Sequence, residues 1–286
     1  MTVLPPIVRG LCDDAAIFPP GNLPLAEAVP AHFRHKASPH AGLVGSFVVA
    51  APALADLGPL LPDGPRLDLV VTVPAGPAHL AGALAEAAAL PVRLAGVEVA
   101  VPDGMPPAEL FAVLGKTETE TEAGVPVFVE VPRDERRADV IAALPDSPYR
   151  AKFRTGGVKA HLYPDEAELA GAVAAVVEAG VPFKATAGLH HAVRNTDPET
   201  GFEQHGFLNL LLAVDAALGG ASRADLAALL ARRDGTGLAA AVAGLDEARA
   251  AAVRARFLSF GTCSVTDPLT DLENLGLAAG EGDDPA

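Results

Sequence analysis

The chain has 286 residues, half of them hydrophobic, and a formal net charge of −15. That charge excludes a phosphate-backbone partner, because nucleic-acid binding needs a cationic footprint. Charged, Pro or Gly residues break every apolar run before about 18 residues accumulate, so no membrane span is expected; MTVLPPIVRG carries no leader pattern, which points to the cytoplasm. In chain order, Val8–Cys12 reads as strand one, running into DDAAIFPPG with Asp13 and Asp14 at its carboxyl end, and a helix follows over Leu25–His35. Gly42–Ala50 and Leu67–Pro74 are β-branched runs stopped or closely followed by Pro, strands two and three. A helix over Pro77–Leu90 starts with Pro at a first-turn position.

Val92–Val101 and Val125–Val131 supply strands four and five, with TETETE between them as a solvated loop or helix end. RAKFRT is strand six. The next helix opens PDEAEL, where Asp165 can cap and Glu168 sits three residues on, as in a capping box. Leu169, Val173, Val176 and Val177 keep helical spacing. PFKATAG is strand seven and Arg256–Val265 strand eight, followed by a last helix in DPLTDLENLGL.

Strands alternating with helices predict a parallel sheet covered by helices, and eight of them favour a closed (β/α)8 TIM barrel. One domain over residues 1–276 is expected, with 277–286 as a disordered tail. Residues 195–255, between strands seven and eight, read as a helical insertion of two or three helices with a Gly-rich break at GTG, serving as a lid or as a homo-oligomer contact.

In a barrel, polar residues embedded in strands are informative, because the interior is packed with branched apolar side chains and chemistry occurs at the carboxyl-terminal face. Glu98, Glu130, Lys152, Arg154, Lys184 and Thr186 come from four successive predicted strands. Alternation puts Lys152 with Arg154 on one face, and Lys184 with Thr186 on one face of the next strand. The plain alternative is a structural ion-pair network, since buried charges are costly unless paired. The functional reading requires a lysine whose pKa falls from about 10.4 toward neutrality, so that its amine can attack a carbonyl. Lys184 and Arg154 are the cations expected to do this to Lys152, with Glu98 shuttling protons.

These residues carry a resemblance. Lys152, Thr155 and Gly156 resemble the KxSTG motif of the deoxyribose-phosphate aldolase branch of class I aldolases, and Phe183, Lys184 and Gly188 resemble its FKxxGG. Gly261, Thr262, Cys263 and Ser264 look like its phosphate-gripping GASS, Glu98 stands where the family has a proton-relaying aspartate, and DDAAIFPP resembles its opening after strand one. The resemblance implies a TIM barrel and a Schiff-base lyase without cofactor, with Lys152 as nucleophile, Lys184 as its pKa-lowering neighbour and Glu98 as relay. The sequence departs from the pattern at Arg154, at AGLHH and in the long insertion.

Gly156 and Gly157 after strand six, and Gly261 with Ser264 after strand eight, would let backbone amides approach an anion, with Arg154 as a bidentate partner. Asp14 and Glu130 are expected to order water or substrate hydroxyls, and Thr155, Thr186 and His190 to line the site. The partner is then a small anionic, phosphorylated or carboxylated, carbonyl compound. A second reading places a divalent metal on His190, His191 or His205 with Glu98 and Glu130, in a lyase, hydrolase or isomerase. A third is a catalytically silent, metabolite-binding barrel. Under the first reading, Lys152→Ala is expected to abolish turnover and leave the fold intact, checked by activity assay and circular dichroism.

Overall fold

The computed structural model describes residues 4–120 and 124–278. Eight parallel strands close into a barrel: β1 (Cys12–Asp14), β2 (Val44–Ala50), β3 (Leu67–Val73), β4 (Val92–Ala100), β5 (Val127–Glu130), β6 (Arg150–Arg154), β7 (Phe183–Thr186) and β10 (Phe257–Thr262). Their spatial order, β1-β10-β7-β6-β5-β4-β3-β2, follows the chain around the ring and closes β10 onto β1. This is the (β/α)8 architecture expected. Between the strands stand α1 (Leu25–Lys36), α2 (Leu54–Leu57), α3 (Leu80–Ala88), α4 (Pro107–Glu120), α5 (Arg137–Ala143) and α6 (Glu166–Glu178), with α11 (Thr266–Asn274) after the last strand.

Strand alternation divides the ring into two faces. Outward side chains such as Val49, Leu69, Val71, Val97, Val99 and Val129 are buried beneath the helices. Phe153, Phe183 and Phe257 continue this layer, with ring centroids 5.4 and 5.2 Å apart along the series. The four spaced apolar residues of α6 are all buried. Asp165 caps α6 by accepting from the Glu168 backbone N–H at 2.7 Å, but the reciprocal arm of the expected box is missing. Glu168 instead binds Arg133 and Arg137 at 2.7 and 2.6 Å.

Strand one starts later than expected: Pro6–Val8 form a 3-10 turn, and the strand is Cys12–Asp14. The N–H groups of Val8, Arg9 and Leu11 are spent on the carbonyls of Pro5, Pro6 and Val8 in and just after that turn, so ladder pairing waits until Cys12. TETETE begins inside α4, which runs to Glu120; residues 121–123 lie outside those described. Of the tail expected over 277–286, Leu277 and Ala278 are buried in the core and residues 279–286 lie outside those described.

The 195–255 segment holds a short antiparallel pair, β8 (Asn195–Thr196) and β9 (Glu203–Gln204), then α7 (Phe207–Leu218), α8 (Arg223–Ala231), α9 (Gly235–Ala243) and α10 (Glu247–Arg256). GTG is not a break: it is the first turn of α9, capped by Asp234. Residues Phe207 to Val214 of α7 are all buried, and Phe207 stacks on Phe260 of β10 at 5.2 Å. Buried Asn209 ties the segment together, accepting from the Arg194 N–H and donating to the carbonyls of Leu229 and Arg232. The helices therefore wrap the outer wall beside α6, and none of residues 195–255 lines the cavity at the barrel mouth. The lid expectation is overturned on that ground.

Beyond β7 the chain turns at Gly188, with φ +73°, where an added Cβ would lie 2.9 Å from the Gly156 Cα and from the Thr155 carbonyl oxygen. Gly201 has a similar φ of +70° in open space. Gly188→Ala should therefore cost about 1–3 kcal/mol more than Gly201→Ala, the overpacking penalty alone, measured by chemical denaturation.

Candidate active site

Inward-facing positions at the carboxyl ends of the strands build one polar cluster. Register pairs Glu130 with Lys152 and Lys152 with Lys184, so these three stand at one level around the wall. The Lys152 ammonium lies 2.7 Å from Glu98 Oε2 and 2.9 Å from Glu130 Oε2. Lys184 lies 2.5 Å from Glu98 Oε1 and donates to Asp13 Oδ2 at 2.7 Å. Arg154 Nε donates to Glu130 Oε1 at 2.9 Å. The groups thus alternate in sign across the barrel: Asp13, Lys184, Glu98, Lys152, Glu130, Arg154.

Asp13 is the member that the sequence reading missed in favour of its neighbour. Ser259 Oγ and the Ser46 backbone N–H also donate to it, at 2.6 and 2.9 Å. Gly45 permits that approach, since a Cβ there would stand 2.4 Å from Asp13 Oδ1. Asp14 points to the opposite face, where its Oδ2 lies 3.0 Å from Nδ1 of buried His32 on α1. It does not line the cavity, and its expected role at substrate is corrected accordingly. Period-two alternation decides between adjacent aspartates, and the misplaced start of strand one hid the phase.

A cavity of about 350 Å³ opens above the cluster, lined by Glu98, Glu130, Lys152, Arg154, Gly157, Thr186, His190 and Gly261 among the expected residues. Thr72 joins them without having been foreseen, and so do Phe18 and Cys263, which the sequence placed only within the stretches resembling the aldolase motifs. Three expected contacts are used elsewhere. Thr155 is fully buried, and its hydroxyl donates to the carbonyls of Thr186 and Ala187. Gly156 packs against Tyr163 and Gly188. Ser264 accepts from the Asp267 N–H in the first turn of α11 and shares a hydrogen bond with Thr266. None of the three lines the cavity.

Electrostatics also correct the expectation for Lys152. Burial alone lowers an ammonium's pKa, but Glu130 and Glu98 outweigh it, and Lys152 lies above its ordinary value. Lys184 is raised too, with burial again outweighed, here by Asp13 and Glu98. A carboxylate stands between each pair of cations, Glu98 between the lysines and Glu130 between Lys152 and Arg154, so neither Lys184 nor Arg154 drives Lys152 neutral at rest. Burial pushes Glu98 and Glu130 upward, but the facing cations win and hold both at about 2. Lys152→Ala would leave three carboxylates against two cations in the row, one buried charge unmatched, so the expectation of an intact fold is withdrawn for that variant.

The histidines gathered for the metal reading do not converge. His190 Nδ1 lies 3.4 Å from Cys263 Sγ, His191 pairs with Asp271 at 3.1 Å, and His205 Nε2 lies 2.8 Å from the Pro164 carbonyl oxygen. Among the described residues no group of three His, Cys, Asp or Glu side chains is arranged to hold a metal ion. Burial lowers His190's pKa and raises that of Cys263, which leaves a neutral imidazole beside a neutral thiol on the cavity wall. No helix among the described residues is long and apolar enough to cross a membrane. The chain matches no protein-family model, and none of the curated proteins matches it in sequence.

The pKa directions set a stability profile. The carboxylates are depressed from 4.5 to about 2, so their contribution is present above about 4.5 and is lost as pH falls toward 2. The lysines are raised above 10.5, so theirs is present below that value and lost as pH rises through the folded pKa values. Thermal melts across pH should show a plateau falling on both sides. Glu98→Gln should lower the plateau and flatten the acid limb.

Proposed function

We propose that the protein is a class I, Schiff-base carbon–carbon lyase acting on a small anionic carbonyl compound, with Lys152 as the nucleophile. The observation that carries this reading is the placement of Lys152 on the cavity wall between Glu98 and Glu130, each within hydrogen-bond reach of its amine. A purely structural ion-pair network has no need of open volume above it. The resemblance of the paired lysines to the deoxyribose-phosphate aldolase branch supports the same assignment.

Chemistry begins when the Lys152 ammonium passes a proton to a flanking carboxylate as a carbonyl compound displaces water from the cavity. The freed amine forms a C–N bond at the carbonyl carbon, and the oxygen takes protons and leaves as water. The resulting iminium accepts the electron pair of the breaking C–C bond as a base removes the proton of the substrate's β-hydroxyl. An aldehyde departs, the enamine is protonated, and water releases the second product. Lys184 holds Glu98 in place from its other oxygen and is a positioning residue.

Borohydride trapping with a panel of small aldehydes and ketones, read by peptide mass spectrometry, should label Lys152. Lys152→Arg keeps the charge that Glu98 and Glu130 require and should remove both the label and the turnover. Because the amine is protonated at rest, kcat/KM should climb with pH through the neutral and alkaline range. Glu98→Gln removes one of the charges that raise Lys152 and should move that climb to lower pH. Folded protein that gives no adduct with any compound sinks the Schiff-base reading and favours the silent, metabolite-binding barrel.

A further inference from the structure

We infer that the substrate carries a single carboxylate on its reacting carbonyl carbon, a 2-oxo acid with an apolar remainder, and that Arg154 is the residue that selects it. The inference rests on the Schiff-base reading and specifies what that site takes.

Among the described residues, Arg154 is the one guanidinium on the cavity wall. Its Nε is engaged by Glu130, whereas Nη1 and Nη2 have no hydrogen-bond partner among the described residues. Its side chain is 36% exposed, against 6% for Lys152, and it lines the cavity. Glu130 fixes how far they stand from the nucleophile. Lys152 Nζ and Arg154 Nε bind the two oxygens of that one carboxylate, which keeps the nitrogens within about 8 Å, two hydrogen bonds and one carboxylate width. With the carbonyl carbon bonded to Nζ, a carboxylate on that carbon lies within reach of the guanidinium, and its planar shape suits paired N–H donors.

A distal dianionic phosphate fits less well. The cluster holds three carboxylates and three cations, already matched, so it offers no surplus positive charge beyond the unused donors of Arg154. Three of the loop positions where such a group would be gripped are committed, Ser264 to the start of α11, Gly156 to Tyr163 and Gly188, Thr155 to the carbonyls after β7, which leaves Gly157 and Gly261 on the cavity wall without a charged side chain beside them from those loops. Much of the remaining lining is instead apolar, with Phe18, Val48, Val73, Leu162 and Val158, the last 62% exposed. Such a wall accepts a hydrocarbon tail and leaves a phosphate unsolvated.

The test separates this inference from the reaction on which it rests. Calorimetric titration reads carboxylate binding without needing an imine; pyruvate should bind, 4-methyl-2-oxopentanoate should bind more tightly, and inorganic phosphate should not compete. Arg154→Gln should weaken both 2-oxo acids at least tenfold, and Arg154→Lys should recover part of the loss. Borohydride trapping in parallel should label Lys152 with pyruvate far faster than with acetone or glyceraldehyde 3-phosphate, and in Arg154→Gln the pyruvate-to-acetone labelling ratio should fall toward one. Unchanged pyruvate affinity in Arg154→Gln, or labelling that favours the phosphate, overturns the inference and leaves the lyase reading standing. Arg154-dependent pyruvate binding with no adduct on Lys152 upholds the 2-oxo acid and overturns the lyase.

Discussion

The alternating row of charges across the barrel is the constraint on which the rest of the site depends. Asp13, Glu98, Lys152 and Lys184 are each less than 5% exposed, and ions at that depth are tolerated only when every one is matched. Matching them takes five strands: β1 and β7 supply one end of the row, β4 the middle, β5 and β6 the other end. A slip of one residue in any strand would turn its charged side chain to the helix-facing side and leave a partner bare. The parallel register of the barrel and the electrostatics of the site are therefore one requirement, not two.

The same pairing sets the resting state of the candidate nucleophile. An isolated buried lysine loses its proton, whereas one between two carboxylates keeps it. Glu98 is shared by both lysines, so withdrawing its charge by protonation weakens the hold on each together. A proton moved from Lys152 to Glu98 leaves a neutral amine beside a neutral acid, while Lys184 remains compensated by Asp13. The transfer removes charge from three links of the row, Lys152–Glu98, Lys152–Glu130 and Lys184–Glu98, and leaves the two end pairs, Lys184–Asp13 and Arg154–Glu130, intact.

The strands were legible because short β-branched apolar runs bounded by Pro and Gly fit a buried parallel strand better than any helix, and the charged residues inside them stood out against that pattern. Glu98, Glu130, Lys152 and Lys184 were found this way, and the structure brings all four together. Asp13 was not, since two adjacent aspartates at a strand end are distinguished only by the phase of the strand, and the 3-10 turn over Pro6–Val8 delays its start. Thr72 carries no sequence signal of its own and reaches the cavity because β3 brings the chain to it there, whereas Cys263 was marked only by the resemblance of its stretch to a phosphate-gripping loop. The 195–255 segment read as a cover over the mouth because length alone does not say on which side of a wall a helix packs. The run of buried residues in α7 is what places it outside.

Thr155, Gly156 and Ser264 show how a motif can be present for a reason other than contact with a ligand. The Thr155 N–H and hydroxyl both donate to the Thr186 carbonyl, and the hydroxyl also reaches that of Ala187. The missing side chain of Gly156 lets the chain after β7 pass against it at Gly188. These contacts clamp the carboxyl ends of β6 and β7 together, the two strands that carry Lys152 and Lys184 at paired register positions. The Lys-x-x-Thr-Gly pattern thus fixes where the two ammonium groups stand, whichever anion the mouth receives. Preserving the spacing of the lysines and preserving a grip on a ligand are separable demands on the chain, and Thr155 and Gly156 serve the first.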